Sequence, residues 1–248
     1  MECRTALEGQ LRRQADWLGE SWLWLLRTKV LPVTGPRPAA LDVGCGPGYV
    51  METFAKELGL GVEGVDRDPD MVEACRARGL KALRAEAAGL PFPDESFPIV
   101  YCTFLLLWAP EPVRVLRELR RVSSEWVLCL AEPDYGGRLD YPGGLEGLGN
   151  ILAGGLQKEG ADPYIGRKLR SLFSESGLRA EVGLHPGVWE LERLKRERAE
   201  EWRNVASSAR LLGIERDQLE SYRGKWHEAL ERGTLFQFNP VFYALARK

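Results

Sequence analysis

Histidine is nearly missing from this chain: the 248 residues hold two, His185 and His227. The five cysteines, Cys3, Cys45, Cys75, Cys102 and Cys129, stand singly with no C-x-x-C pair. Together these scarcities exclude the ligand spacing of a zinc site, so no metal is expected, and they argue for a reducing, cytoplasmic setting. Long apolar runs are missing too. The longest nearly apolar stretch, Ile99 to Pro110, falls far short of the roughly 18–20 residues that span a bilayer, so no membrane partner is expected. Glu2, Glu8, Asp16 and Glu20 break the first 30 residues, so these are not expected to act as a secretory signal. Charge of one sign is lacking as well: 34 Lys+Arg against 36 Asp+Glu leaves −2, no field for gripping nucleic acid. No period of 20–50 residues recurs, which sets repeat architectures aside. What is present is 44% hydrophobic and 28% charged residues, enough for one large domain with a helical appendage.

Short β-rich runs alternate with helical stretches. Ala39–Val43, Leu60–Val65, Lys81–Ala85, Phe97–Thr103, Glu125–Ala131 and Val241–Ala246 read as strands, and Tyr49–Leu58 as a helix. Pro69 sits at the favoured first position of another helix. Val115, Leu116, Leu119 and Val122 fall on one arc of a third, with Arg114, Arg117, Glu118 and Arg121 elsewhere. Strand–helix–strand alternation implies parallel strands joined by right-handed crossovers. Two segments leave this rhythm. Leu7, Leu11, Ala15, Leu18, Trp22 and Leu25 repeat at helical spacing near the start, and residues 189–232 are charged and helical around Leu191, Leu194, Trp202 and Leu211. The expected division is therefore a helical cap segment at 1–35, a sheet domain at 36–188 and 236–248, and a helical cap insertion at 189–235.

The most informative stretch is Leu41-Asp42-Val43-Gly44-Cys45-Gly46-Pro47-Gly48. Glycines at 44, 46 and 48 let the backbone turn tightly and leave no Cβ between it and a ligand, while the following helix offers free N–H groups. A glycine-rich turn with no ligand has the same appearance. The dinucleotide fingerprint G-x-G-x-x-G wants a glycine where Tyr49 stands, so that rival is off by one residue.

Asp42 to Gly48 resembles the first motif of the class I S-adenosylmethionine (SAM)-dependent methyltransferases, of the small-molecule, methyltransferase type 11-like kind. The resemblance continues in order through Gly64-Val65-Asp66, Ala85-Glu86-Ala87-Ala88-Gly89-Leu90-Pro91-Phe92, Asp94-Glu95-Ser96-Phe97 and Leu128-Cys129-Leu130-Ala131-Glu132-Pro133. It covers residues 39–135 and implies an α/β, Rossmann-like doubly wound seven-stranded sheet, mostly parallel with an antiparallel last strand, plus the helical cap segments. The implied cofactor is SAM. The implied cofactor-binding residues are Asp42, Gly44, Cys45, Gly46 and Gly48 at the turn, Asp66 on the ribose hydroxyls, and Glu86 with the Ala87 N–H on the adenine. Arg67 is expected over the adenine face or as a plain loop residue, and Thr103 at the methionine end or as a strand-end cap. Departures are Pro98 in place of the usual Asp, Glu86 rather than Asp, and Leu107-Trp108 where many small-molecule members carry histidines.

That last departure points to an apolar or aromatic small-molecule acceptor. Six of the eight tryptophans, Trp17, Trp22, Trp24, Trp189, Trp202 and Trp226, lie in the two appended segments and are expected either to pack helices or to wall the acceptor pocket. The catalytic residue is unknown from sequence; the candidates for acceptor chemistry are Glu132, Asp134 and Tyr135, at the sheet edge where open α/β proteins bind ligands. His185 reads as a loop residue and His227 as a solvated helical one. Neither an Asn/Asp-Pro-Pro-aromatic run after strand four nor a Pro-Cys pair occurs, which excludes the amino-directed and cytosine-C5 classes. The alternatives to small-molecule methyl transfer are an RNA or protein acceptor and a non-catalytic SAM-binding protein.

Overall fold

A computed structural model describes residues 2–35 and 37–248, with side chains from residue 8 onward. Met1, Pro36 and the side chains of Cys3 and Leu7 lie outside the described residues. The strands are β1 (Ala39–Val43), β2 (Gly61–Asp66), β3 (Lys81–Arg84), β4 (Phe97–Thr103), β5 (Ser123–Pro133), β6 (Leu139–Tyr141), β7 (Ala180–Leu184), β8 (Phe236–Phe238) and β9 (Val241–Arg247). Seven of them form one sheet in the order β3-β2-β1-β4-β5-β9-β7. The first five run parallel, and β9 is antiparallel to both its neighbours.

The helices are α1 (Glu2–Leu25), which continues through a π-helical turn (Leu26–Val30) into α2 (Leu31–Thr34), then α3 (Tyr49–Leu58), α4 (Pro69–Ala77), α5 (Pro112–Val122), α6 (Gly147–Lys158), α7 (Ile165–Glu175), α8 (Leu191–Leu212) and α9 (Arg216–Glu231). Local chemistry sets several ends. α3 runs between Gly48 and Gly59, both left-handed, and Asp68 caps α4 by accepting from the Asp70 N–H ahead of Pro69. The alternation of side chains along a strand sorts the two faces of the sheet. Val100, Cys102, Val127 and Cys129 pack with α5 and α7, whereas Ile99, Tyr101, Leu128 and Leu130 pack with α1 and α3.

Both appended segments differ from expectation. The second half of α1 and the π-helical turn after it form a layer of the sheet domain: Leu18, Trp22, Leu25, Leu26 and Val30 are fully buried against that sheet face. Burial of five such side chains is worth on the order of 10 kcal/mol as an upper bound, which anchors this half firmly. The other lobe begins earlier than 189. Leu148, Ile151 and Leu152 of α6 share a core with Leu194, Trp202 and Val205 of α8 and Trp226 and Leu230 of α9, and the β6–β8 ribbon closes it. The sequence-based division missed α6 because its apolar face looks like that of any helix lying on a sheet. Leu211, expected inside, is 46% exposed.

Candidate functional site

At the end of β1 the chain turns through Gly44, Gly46 and Gly48, with φ of +77°, +51° and +87°. Packing demands two of these glycines. A Cβ on Gly44 would lie 2.8 Å from Leu105 Cδ1, and one on Gly48 2.5 Å from Leu80 Cδ1. At Gly46 the nearest atom would be Leu11 Cδ1, 3.5 Å away across the cleft, so this glycine leaves the floor of the site bare. The N–H groups of the turn are spent internally: Gly44 and Cys45 donate to Val65 O, Gly46 to Asp66 Oδ2 at 2.9 Å, and Gly48 to Cys45 O. Asp66 therefore braces the turn, while its Oδ1 accepts from the Asp68 N–H at 2.9 Å. Each oxygen keeps a further lone pair for a ligand hydroxyl.

These residues floor a cleft of about 760 Å³ at the carboxyl edge of the parallel strands, where open α/β sheets receive ligands. Gly44, Cys45, Gly46, Asp66, Arg67, Glu86, Ala87 and Thr103 line it together. Asp42 and Gly48 do not. Asp42 is buried behind the turn with both carboxylate oxygens unpartnered, and burial pushes its carboxyl well up; the neighbouring Tyr101 hydroxyl opposes that without reaching hydrogen-bond geometry. Phe104, also on the wall, holds φ of +50°, a conformation a non-glycine residue keeps only when its surroundings impose it.

The three acceptor-side candidates have different surroundings. Glu132 is fully buried beneath the wall, where it accepts from the N–H groups of Leu105, Leu106 and Leu107 at 3.0, 2.6 and 3.2 Å. Burial pushes its carboxyl up to about 8 against those three donors. It is built to hold the Leu105–Leu107 turn and does not line the cleft. Asp134 reaches the cleft but is gripped by Arg167 at 2.5 and 2.7 Å. Tyr135 is on the wall, and burial followed by the nearby Glu201 charge pushes its hydroxyl up, so the phenol stays protonated. His185 lies in the loop after β7, as expected, but it is firmly held there. It is buried away from the cleft, with Nδ1 2.7 Å from Ser21 Oγ and Nε2 2.7 Å from Leu130 O, a tie between α1 and the sheet. His227 stacks beside Trp202 and Trp226 in the helical lobe.

The opposite wall comes from α1 and the helical lobe, and it is far more polar than the Leu107-Trp108 pair led us to expect. Glu197, Glu200 and Glu201 of α8 line the cleft, each against an arginine that also lines it: Arg193, Arg13 and Arg138. Trp17 and Trp189 meet at 4.9 Å between ring centroids, with the Arg193 guanidinium over both rings. α1 and the lobe are thus joined across the cleft by a stacked arginine and by the Arg13–Glu200 pair at 2.8 Å. Sequence reasoning missed these charged residues because a charged helical face reads as solvated. The available signal was the spacing of Glu197, Glu200 and Glu201, which keeps one helical face acidic.

Comparison with known proteins gives the class. A methyltransferase-domain family model matches residues 41–125. A 99-residue stretch, 38% of this chain, is 34% identical to trans-aconitate 2-methyltransferase from Rhizobium rhizogenes, and it spans 38% of that enzyme's length. Over 182 residues the chain is 31% identical to an uncharacterized methyltransferase of Mycobacterium tuberculosis, covering 68% of each protein. The fold is also that of Haemonchus contortus phosphoethanolamine N-methyltransferase 2, solved with phosphomonomethylethanolamine and S-adenosylhomocysteine, at a TM-score of 0.56 and 16% identity over 90% of this chain and 51% of that one. The chain belongs to the class I SAM-dependent methyltransferases, whose cofactor is SAM.

Proposed function

We propose that the protein transfers the methyl group of SAM to a small molecule held between the glycine turn and the helical lobe. The observation that carries this reading is the shared cleft: the motif residues Gly44, Gly46, Asp66 and Glu86 lie at one end, and the α8 ion pairs with Trp17 and Trp189 lie at the other. Its volume of about 760 Å³ suits small molecules. The residues present fit the cofactor. Gly46 leaves the floor free of side chain, Asp66 has lone pairs to accept two ribose hydroxyls, and Glu86 with the Ala87 N–H, both lining the cleft, would offer an adenine edge an acceptor and a donor. Arg67 and Thr103 line the same end. Asp42 acts from behind, as a buried carboxyl under the turn that burial pushes toward its neutral form.

SAM supplies a methyl group already activated for in-line displacement. The protein's own task is then to align the acceptor and to exclude water, and proximity can lower a barrier by several kcal/mol. Glu132 positions the Leu105–Leu107 wall, and Tyr135 and the arginines of the lobe orient the acceptor. Neither Glu132 nor Asp134 is well placed to act as a base: Glu132 does not line the cleft and burial keeps its carboxyl protonated up to about pH 8, and Asp134 is paired with Arg167.

An RNA or protein acceptor is less well supported. The arginines of α5 are used inside the protein: Arg117 donates to Glu175 O, Arg120 to Ser176 O, and Arg121 to Glu118, Asp94, Leu90 O and Phe92 O. A cytoplasmic setting is supported by four free cysteines among the described residues; no described helix is long and apolar enough to cross a membrane. The test is calorimetric titration with SAM, S-adenosylhomocysteine and NADH, then release of labelled methyl to a panel of small molecules. Binding of the first two and not the third is expected. SAM binding without turnover on any acceptor would favour a non-catalytic SAM-binding protein.

A further inference from the structure

Two glycines behind the cleft floor keep a pocket open for sulfur. A Cβ on Gly64 of β2 would lie 2.8 Å from Cys45 Sγ and 2.7 Å from Met51 Sδ, and one on Gly48 would lie 2.8 Å from Cys75 Sγ. Cys75 Sγ is in turn 3.7 Å from Met51 Sδ. The three sulfurs share one small apolar core with Val72 and Ala82, where the glycine turn, α3 and α4 meet. Within that core the Cys45 and Cys75 thiols lie in hydrogen-bond reach of each other. That bond, aided by burial, pushes the Cys45 thiol up. The same bond, helped by the Arg78 and Arg76 charges, holds the Cys75 thiol below its ordinary value. The two differ in access as well. Cys45 is 7% exposed and lines the cleft, whereas Cys75 is fully buried behind it. A small solute in the cleft therefore meets Cys45 first, with a second sulfur poised as a nucleophile at its back.

We propose that Cys45 and Cys75 are a redox modification site, forming a reversible disulfide that closes the cofactor end of the cleft to SAM. The oxidant class is a peroxide. The Cys45 sulfur attacks one oxygen of hydrogen peroxide, the O–O bond breaks, and a sulfenic acid and water result. The Cys75 sulfur then attacks the Cys45 sulfur, the S–O bond breaks, and the departing hydroxide takes up the Cys75 proton as a second water. Two equivalents of a small thiol reverse the change and are themselves oxidised to their disulfide. A disulfide sets its sulfurs about 2.0 Å apart, well inside thiol hydrogen-bond distance, so one of them must move. α4 is pinned by its Asp68 cap and by buried Met71, Val72 and Cys75, while Cys45 sits in a turn of left-handed glycines. The turn yields, and the Gly46 N–H is drawn off Asp66 Oδ2, its partner at 2.9 Å. This rests on SAM binding and holds for any acceptor.

The test treats the full chain with hydrogen peroxide, digests it without reduction and seeks the Cys45–Cys75 linked peptide by mass spectrometry. S-adenosylhomocysteine affinity is measured by calorimetry before treatment, after it, and again after dithiothreitol. The linked peptide, an affinity loss of about tenfold or more, and recovery with dithiothreitol are expected. Saturating S-adenosylhomocysteine should slow the linkage severalfold, because coupling between the two events is reciprocal. Cys75→Ala leaves Cys45 without a second sulfur to attack it. Peroxide should then carry Cys45 to sulfinic acid, which dithiothreitol does not restore. Absence of the linked peptide in the wild type, linkage with unchanged affinity, linkage at the same rate in the saturated protein, or full recovery of peroxide-treated Cys75→Ala with dithiothreitol would each overturn the proposal. Untreated wild type that fails to bind S-adenosylhomocysteine would instead overturn the methyltransferase reading.

Discussion

Replacing Glu132 by Gln tests whether burial or hydrogen bonding controls the carboxyl group beneath the cleft wall. The substitution keeps the shape and removes the titration. In the folded protein burial raises the Glu132 carboxyl from its ordinary 4.5 to about 8, so the native state holds a proton there that the unfolded chain has released. Between these two values the folded state binds more protons than the unfolded one, and stability must therefore fall as pH rises. At about 1.4 kcal/mol per pH unit the whole window is worth about 5 kcal/mol at most. Above about pH 8 the loss is complete. The Gln variant has no such slope from this site, but its amide NH2 must face one of the three backbone donors, a constant cost of about 1–3 kcal/mol. Urea unfolding of both proteins at pH 5, 6, 7, 8 and 9 gives the difference directly. Wild type should lead at low pH and lose that lead progressively by pH 8. A lead that stays constant from pH 5 to 9 instead would show that the N–H groups of Leu105–Leu107 dominate and that the carboxylate is ionised throughout, which refutes the reasoning.

Asp66→Ala should weaken S-adenosylhomocysteine binding by about 1–3 kcal/mol, because the ribose loses its acceptor and the Gly46 N–H loses its brace; unchanged affinity measured by calorimetry would dissociate Asp66 from the ligand. Gly46→Val should abolish binding while circular dichroism stays native at some cost in stability, since only Leu11 stands near its Cβ but a φ of +51° strains a β-branched residue, whereas Gly48→Val should add about 1–3 kcal/mol of overpacking against Leu80 and Cys75 to the same kind of strain. Trp22→Ala should lower unfolding stability by about 3–5 kcal/mol, as Trp22 is fully buried and its Nε1 donates to Leu130 O at 3.0 Å. Chelator treatment should leave fold and cofactor affinity untouched: Cys102, Cys129 and Glu132 sit close enough to suggest a metal, but burial pushes the Cys129 thiol well up and the glutamate is committed to backbone. Stoichiometric metal in the treated protein would contradict this.

The sheet and its turn were readable because each rests on local rules. Ala39–Val43, Phe97–Thr103 and Tyr49–Leu58 were located to the residue, since Gly44 ends the first strand, Gly48 and Gly59 bound the helix, and Phe97–Thr103 is dense in β-branched and aromatic residues. β5 proved longer than read, starting at Ser123 as soon as α5 ends, because no turn residue separates the two. The polar wall was not readable. Glu197, Glu200 and Glu201 carry the charge pattern of a solvated face, and only the placement of α8 against α6 and α1 turns them inward. The burial of Arg138 against Asp140 depends likewise on β6 and β8, strands of three residues each, too short to leave a periodic signal. His185 needed knowledge that α1 and β5 both meet it, through contacts 164 residues away at Ser21 and 55 residues away at Leu130.

The joint between α1 and the lobe has a consequence for traffic. Its two pieces, the Arg13–Glu200 pair and the Arg193 guanidinium over Trp17 and Trp189, lie between two parts anchored in different cores. A part-exposed ion pair and one cation stacked on aromatic rings are together worth about 1–3 kcal/mol. Opening the cleft on the lobe side therefore requires breaking these contacts and nothing inside either core. Salt, which screens the ion pair and barely touches the stack, loosens one hinge pin and leaves the other.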